Sequence, residues 1–172
     1  NKESMAVGFS GSNGGIARPE REVLVQDNCD FIKGPMELSY FVNNVCNLNC
    51  RHCYVGYEEP KNALSVDEWK DVFNQAHELG ALTFGNVGKE PLLAWRNKTI
   101  PLLLFLKEKR MKDERIRYGL VTNATLFDDG RIEQLIDASP TYMDISIDGM
   151  KEVHDDIRGE GMYDKTTSNL SR

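Results

Sequence analysis

The amino-acid sequence predicts an α/β fold in which parallel β-strands alternate with helices. Short runs rich in aromatic and β-branched residues recur along the chain, and a helical pattern of apolar residues follows most of them. Successive strands begin roughly 25 to 45 residues apart, which is typical of right-handed βαβ units around one sheet. We therefore expect a parallel sheet built from four such units.

The first unit is predicted from two local signals. Residues 36–43 have the composition of a β-strand. Ser65 and Glu68 form a capping-box pattern at the start of an amphipathic helix, and Gly80 ends that helix. The aromatic side chains expected in the core of this helix and the next one are Trp69, Phe73 and Phe105.

The later units follow from the same kind of pattern. Strands two, three and four are predicted at residues 81–84, 118–121 and 142–147. Helices are predicted at 100–110, with Pro101 in the first turn, and at 129–137, and residues 164–172 have the pattern of a further helix.

The composition is that of a globular protein of ordinary size. The 172 residues suffice for one domain, and 40% of them are apolar and 28% charged. Residues 1–34 are rich in glycine and serine, so we expect a flexible leader there, with a candidate short strand at 23–25. Residues 35–172 are expected to form the folded part.

Charge and hydropathy exclude two classes of partner. The chain has 21 basic and 27 acidic residues, a net charge of −6, and no basic tract, so we expect no nucleic-acid partner. No apolar run approaches the roughly 20 residues that span a bilayer, so we expect no membrane partner. Because no signal-peptide pattern is present, we expect a cytoplasmic protein, in which clustered thiols bind metal.

Three cysteines, Cys46, Cys50 and Cys53, fall within eight positions of one another. Three thiolates on one loop can hold three corners of an iron–sulfur cluster and leave one iron open, as in a catalytic metal site. The alternative is a zinc site completed by His52 or Cys29. The first gap is looser than the usual zinc knuckle and there is no second close pair, so the pattern favours the cluster.

A polar loop follows each predicted strand, and such loops meet at one edge of a parallel sheet. The cysteine loop follows the first strand. The other three loops are Gly85-Asn-Val-Gly88-Lys89-Glu90-Pro91, Thr122-Asn123-Ala124-Thr125 and Ser146-Ile-Asp148-Gly149. The sequence therefore predicts one site at which four loops converge.

Together these segments resemble the radical S-adenosylmethionine (radical SAM) superfamily. The spacing of the three cysteines, with His52 before the last one, is similar to the cluster motif of that family. Residues 88–93 resemble the Gly-Gly-Glu-Pro loop of the family, and residues 121–126 resemble its Thr-Asn-Gly-Thr segment. Residues 144–149 and 154–159 resemble the branch that contains anaerobic sulfatase maturases and peptide-modifying enzymes with a SPASM domain.

The resemblance implies a partial (β/α)6 barrel, of which this chain supplies about the first four units. It also implies that the three cysteines hold a [4Fe-4S] cluster whose open iron binds S-adenosylmethionine, which is cleaved to a 5′-deoxyadenosyl radical that abstracts a hydrogen atom from the substrate. Glu90 and the backbone near Gly88 would orient the amino group of S-adenosylmethionine. Its ribose or carboxylate would be contacted by Ser146, Asn123, Asp148 and Arg158.

The same resemblance implies a set of partners. These are a peptide or protein substrate, an electron donor such as flavodoxin or ferredoxin, and a C-terminal half of the core or a partner subunit to cover the edge of strand four. Without that completion, the chain alone is expected to be an inactive fragment. The alternative from a different class is a non-catalytic half-barrel that binds zinc or a partner chain.

We also expect particular positions or contacts for five residues outside these roles. Lys89 stands where the family loop has its second glycine, and its side chain is expected to point outward. His77 is expected to be a hydrogen-bonded surface residue, and Trp95 and Tyr57 to cover the end of the sheet. His154 either takes part in the site or braces the loop after strand four.

Overall fold

The computed structural model describes residues 34–55 and 63–172. The leader up to residue 33, the candidate strand at 23–25, Cys29 and Tyr57 lie outside the described residues, so the expectations for them stay predictions. No helix in the described ranges is long and apolar enough to cross a membrane.

Four strands form one parallel sheet in the order of the chain. They are β1 (Glu37–Tyr40), β2 (Thr83–Asn86), β3 (Arg117–Thr122) and β4 (Tyr142–Ile145). Tyr40 lies opposite Asn86, and Val121 lies opposite Asp144. The α/β class and the parallel sheet of four units are therefore confirmed, and all four strands end at the same edge.

Five α-helices follow the strands in the described part of the chain. They are α1 (Val66–Glu78), α2 (Ile100–Lys112), α3 (Asp129–Ala138), α4 (Lys151–Arg158) and α5 (Met162–Leu170). The predicted capping box is confirmed, because the Glu68 amide donates to Ser65 Oγ and the Ser65 amide donates to Glu68 Oε2 at 2.8 Å. Helix α1 ends just before Gly80, as predicted.

All four strands differ from their predicted bounds. Strand β1 ends at Tyr40 and not at residue 43, because its pairing with β2 ends there, and β3 is one residue longer at each end. Strand β2 begins at Thr83 and not at residue 81, because the Ala81 amide still donates to the Ala76 carbonyl at the end of α1, at 2.9 Å. Strand β4 stops at Ile145, although the Ser146 amide makes one more hydrogen bond to β3.

The segment before α2 is more regular than predicted. Pro91–Ala94 form a 3₁₀ turn and Trp95–Thr99 a π-helical turn that leads into the helix. The Thr99 hydroxyl donates to the Pro91 carbonyl at 2.6 Å inside this segment. Trp95, predicted as a loop residue, is buried in it and donates to Gln134 Oε1 on α3.

Helix α4 was not predicted, because its sequence KEVHDDIR offers few apolar residues for a helical pattern. Its one buried residue is His154. Helix α5 corresponds to the further helix that was expected at 164–172, and it begins and ends two residues earlier.

One face of the sheet packs against α1, α2 and α3. The largest buried side chains there are Tyr40, Phe84, Tyr118 and Leu120 from the strands and Phe73, Leu102, Leu103 and Leu106 from the helices. The ring centroid of Phe73 lies 4.8 Å from that of Tyr40 and 5.5 Å from that of Phe84. Phe73 is thus in the core as predicted, and Trp69 and Phe105 are partly buried against it.

The opposite face of the sheet carries a cavity of about 420 Å³, the sheet-face cavity. Tyr142 lies across β2 and β3 beside it. A Cβ atom on Gly119 would come within 2.2 Å of the Tyr142 carbonyl oxygen, and one on Gly85 within 2.8 Å of its hydroxyl. The cavity is lined by Glu37, Thr83, Val87, Arg117, Val121, Tyr142 and Asp144.

Candidate functional site

A second cavity, of about 370 Å³, lies where the strands end, and we call it the strand-end cavity. The four polar loops meet here, as their positions after the strands predict. The cavity is lined by Cys46, Leu48, Cys50, His52, Cys53, Tyr54, Val55, Gly88, Lys89, Val121, Thr122, Asn123, Ser146 and Arg158. Because Val121 also lines the sheet-face cavity, the two cavities adjoin.

The three clustered cysteines all line the strand-end cavity. Cys46 and Cys50 are partly buried, Cys53 is exposed, and none of the three is in a disulfide. Burial raises the pKa of the Cys46 thiol and of the Cys50 thiol. Burial therefore favours the protonated form of these thiols, and a metal that binds them would have to displace the protons.

The donor set, three thiols on the lining of one cavity, fits three corners of an iron–sulfur cluster. Within residues 34–55 and 63–172, no three His, Cys, Asp or Glu side chains converge closely enough to hold one metal ion. A four-iron cluster does not need such convergence, because each thiolate binds a different iron. Of the two residues considered for completing a zinc site, His52 lies beside the thiols and Cys29 lies outside the described residues.

Asn123 connects the cysteine loop to the loop after β3. Its Nδ2 donates to Asn47 Oδ1 at 3.0 Å, and Asn47 Nδ2 donates to Thr125 Oγ1 at 2.8 Å. Asn123 Nδ2 also lies 4.0 Å from Cys46 Sγ. Asn47 and Thr125 were not predicted as site residues, and only their places inside the matched segments could have indicated them.

Glu90 lies behind the wall of the strand-end cavity and does not line it. Its side chain is fully buried, and its Oε1 accepts from the Leu92 amide at 3.0 Å and from the Thr122 hydroxyl at 2.8 Å. Its Oε2 accepts from the Asn123 amide at 2.9 Å. Burial raises the pKa of the Glu90 carboxyl, and these three hydrogen bonds partly offset that effect. The carboxylate thus fastens the β2 loop to the β3 loop.

Two residues keep a left-handed backbone where the matched family segments have glycine. Lys89 has φ of 50° and Ala124 has φ of 58°. Gly88, which precedes Lys89, has φ of 73°, and a Cβ atom on Gly88 would lie 1.8 Å from Phe41 Cε1. The expectation that Lys89 points outward is wrong, because Lys89 lines the cavity and its Nζ donates to the Val55 carbonyl at 2.9 Å.

Asp148 is surrounded by cationic or potentially cationic groups and does not line the strand-end cavity. Its Oδ2 accepts from Arg158 Nε at 2.5 Å, and its Oδ1 accepts from Arg158 Nη2 at 3.0 Å. His52 Nε2 lies 3.2 Å from the same Oδ1. Hydrogen bonds from Arg158 lower the pKa of the Asp148 carboxyl. Arg158 is mostly buried, at 12% side-chain exposure, and lines the cavity together with Ser146.

The two histidines outside the cysteine loop both have structural contacts. His154 is fully buried, its Nδ1 accepts from the Asp148 amide at 3.4 Å, and its ring packs edge-on against Tyr163. This geometry favours the bracing alternative for His154. His77 lies 3.3 Å from Asp113 Oδ2, as expected of a hydrogen-bonded surface residue.

Comparison with known proteins identifies relatives over most of the chain. The sequence profile of the family described as the radical SAM superfamily matches residues 40–172. The chain is 32% identical over 129 residues to the Fe-coproporphyrin III synthase of Methanosarcina barkeri, which covers 73% of this chain and 30% of the relative. It is 28% identical over 120 residues to the PqqA peptide cyclase of Bradyrhizobium diazoefficiens, which covers 69% of this chain and 30% of that relative.

The structural comparison agrees with the sequence comparison. The crystal structure of SuiB from Streptococcus suis bound to S-adenosylmethionine has a TM-score of 0.65 to this chain at 24% identity. The match covers 80% of this chain and 31% of SuiB. The likeness shows a shared fold, and the chain spans about a third of the length of the proteins that it matches.

Proposed function

The chain belongs to the radical SAM superfamily, and from that membership we propose that it holds a [4Fe-4S] cluster and S-adenosylmethionine in the strand-end cavity. The observation that carries the proposal is the lining of this one cavity. Three thiols lie there together with the backbone of Gly88 and with polar groups from the loops after β3 and β4. The cluster would be held by Cys46, Cys50 and Cys53.

When bound, the cluster and S-adenosylmethionine would supply a 5′-deoxyadenosyl radical that abstracts a hydrogen atom from a substrate. The role of the chain is then to bind and orient the cluster and S-adenosylmethionine and to shield them from water. Arg158 can bind a carboxylate, because Asp148 accepts from its Nε and Nη2 and its Nη1 has no hydrogen-bond partner among the described residues. The Ser146 hydroxyl and the Asn123 amide lie on the same lining and would meet the ribose or the carboxylate.

We assign Glu90 and Asp148 a supporting role in this proposal. The Glu90 carboxylate accepts three hydrogen bonds, from Leu92 after β2, from Thr122 at the end of β3 and from Asn123 after it, and thereby fixes the backbone near Gly88 and Asn123. The amino group of S-adenosylmethionine would then meet the backbone near Gly88 and not the Glu90 carboxylate. Asp148 in turn holds the guanidinium of Arg158.

We propose that the substrate is a peptide or protein and that the reaction modifies it. The peptide cyclase among the relatives supports this class. The sheet-face cavity supports the position, because it adjoins the strand-end cavity at Val121 and offers charged and phenolic groups to a substrate. A flavodoxin or ferredoxin would deliver the electron, and further sequence or a partner subunit would complete the barrel.

The proposal is tested by titrating S-adenosylmethionine into the chain after anaerobic reconstitution with iron and sulfide. We expect the electron paramagnetic resonance spectrum of the reduced cluster to change on binding. Arg158→Gln should weaken binding at least about tenfold, because a charge-assisted hydrogen bond contributes roughly 1.5–3 kcal/mol. Arg115→Gln is the control, because Arg115 pairs with Asp113 ahead of β3, at the other end of the sheet. A spectrum that S-adenosylmethionine leaves unchanged would contradict the proposal.

A further inference from the structure

The short segment between Cys50 and Cys53 is attached to α4 at two points and to Asp148, ahead of that helix, at a third. The Arg51 amide donates to the Ile157 carbonyl at 2.9 Å. The Arg51 guanidinium pairs with Asp156 at 2.6 Å, and His52 reaches Asp148, which holds Arg158. The last turn of α4 therefore meets the two residues that separate the second and third thiols.

These three attachments differ in how far they are exposed to water. The side chains of Arg51 and Asp156 are 67% and 61% exposed, so water and salt screen that pair. The side chains of Asp148 and Arg158 are only 16% and 12% exposed. His52 itself is 51% exposed, so the Asp148 end of the His52–Asp148 contact, and not the loop end, is shielded from water. Asp148 is therefore better shielded than Asp156.

The position of Asp148 is itself fixed from the side of the helices. Its amide donates to Nδ1 of the fully buried His154 on α4. The Oδ2 atom of its carboxylate contacts Arg158 alone, and the Oδ1 atom contacts both Arg158 and His52. One carboxylate thus contacts both the cysteine loop and a guanidinium that lines the strand-end cavity.

We propose that Asp148 is a positioning residue that sets the cysteine loop through His52 and directs Arg158 into the strand-end cavity. The part that concerns Arg158 rests on the proposed function, because that function supplies the ligand. The part that concerns the cysteine loop can be tested on the iron-free chain alone. The family resemblance implied that Asp148 contacts the ribose or carboxylate of S-adenosylmethionine. The structure assigns it instead to the protein groups that form the site.

The first test is amide hydrogen exchange on the iron-free chain, followed by mass spectrometry of peptides that cover residues 46–55. We expect Asp148→Asn to speed exchange there at least about tenfold, because charge-assisted hydrogen bonds are lost. Arg158→Lys removes the paired hydrogen bonds from the other side and should speed exchange in the same peptides. Asp156→Asn is the matched control and should change the rate by less than about twofold, because its ion pair is exposed.

The strands β2 and β3 serve as the internal reference in that experiment. Unchanged exchange in residues 46–55, or a rise of equal size in β2 and β3, would overturn the proposal, because the second result would show general destabilisation. Neither outcome depends on whether the chain binds a cluster, so failure here is distinguishable from failure of the proposed function.

The second test uses a double-mutant cycle in the reconstituted chain, read from the affinity for S-adenosylmethionine. If Asp148 acts on the ligand through Arg158, Asp148→Asn should weaken binding in the chain that has Arg158 and have little further effect in the Arg158→Gln chain. Losses that simply multiply would show that Asp148 acts independently of Arg158, and would overturn this half of the proposal.

Discussion

Glu90 and Asp148 lie near the same edge of the sheet and are held in opposite ways. Glu90 is fully buried and accepts only from neutral donors, which are two backbone amides and a hydroxyl. Asp148 is partly exposed and accepts from a guanidinium, with an imidazole nearby. Burial raises the pKa of the first carboxyl, and Arg158 lowers the pKa of the second.

The difference indicates what each region contributes to the site. The Glu90 region joins two loops of the barrel with neutral hydrogen bonds and forms a rigid wall behind the cavity. The Asp148 region holds one charged side chain so that this side chain faces the cavity. A sequence motif cannot distinguish the two roles, because both positions read as a carboxylate in a loop after a strand.

The largest effect is expected from Glu90→Gln. The new NH₂ group would face one of the donors that now binds the carboxylate, and a buried donor would be left without an acceptor. We expect the free energy of unfolding of the iron-free chain, measured with urea, to fall by about 2–3 kcal/mol. Glu37→Gln is the control, because Glu37 is exposed and accepts from Ser39, and should cost less than about 0.5 kcal/mol. Equal losses of unfolding free energy in the two variants would show that the buried Glu90 contributes no more to stability than a surface carboxylate.

Gly88→Ala tests the same wall at its backbone. The residue has φ of 73°, and the added Cβ would lie 1.8 Å from Phe41 Cε1, so the ring must move. We expect a loss of about 2 kcal/mol in the free energy of unfolding, of which about 1–2 kcal/mol comes from the left-handed backbone. Gly130→Ala in α3, which has ordinary space around its Cβ, should be neutral or stabilising. A tolerated alanine at 88 would show that this loop is not rigid.

The pH dependence of stability should separate the two carboxylates. Because the pKa of Asp148 is lowered in the folded state, its stabilisation is present at neutral pH and is lost as the pH falls through the folded pKa. The difference in free energy of unfolding between the natural chain and Asp148→Asn should therefore shrink below about pH 4. For Glu90, whose pKa is raised, stability falls as the pH rises through the folded pKa. Urea unfolding of the iron-free chain at several pH values checks both signs, and a growing Asp148 difference in acid would contradict the account.

The smallest effect is expected from Lys89→Gly. Glycine would relieve the left-handed backbone at φ of 50°, but the hydrogen bond from Lys89 Nζ to the Val55 carbonyl would be lost. These effects oppose each other, so the free energy of unfolding should change by less than about 1 kcal/mol. A loss as large as that of Gly88→Ala would show that the lysine side chain, and not the backbone, determines this part of the wall.

Most of the fold could be predicted because its signals are local or periodic. The capping box at Ser65 and the apolar face around Phe73 specify α1, and each strand has its own run of aromatic and β-branched residues. Helix α4 could not be predicted, because it buries only His154, packs against α5 and pairs with Arg51 of the cysteine loop. Its contact with the cysteine loop joins residues about 100 positions apart, Arg51 and Asp156.

The same reason limits prediction of the site. The loops that meet there follow from strand order, so the cavity with its three cysteines could be expected. Neither Glu90 nor Asp148 lines the cavity, and which group each carboxylate holds in place depends on the donors that surround it. For Glu90 those donors include Thr122 and the Asn123 amide, more than thirty residues away in the chain.

The most direct test of the central claim is the iron and acid-labile sulfide content of the chain after anaerobic reconstitution. We expect about four irons per chain and a visible absorption band from the cluster. Cys46→Ala, Cys50→Ala and Cys53→Ala should each abolish iron retention, and Cys29→Ala should leave it intact. One zinc per chain with no retained iron, or loss of iron only in the Cys29 variant, would contradict the assignment of the three cysteines to a cluster.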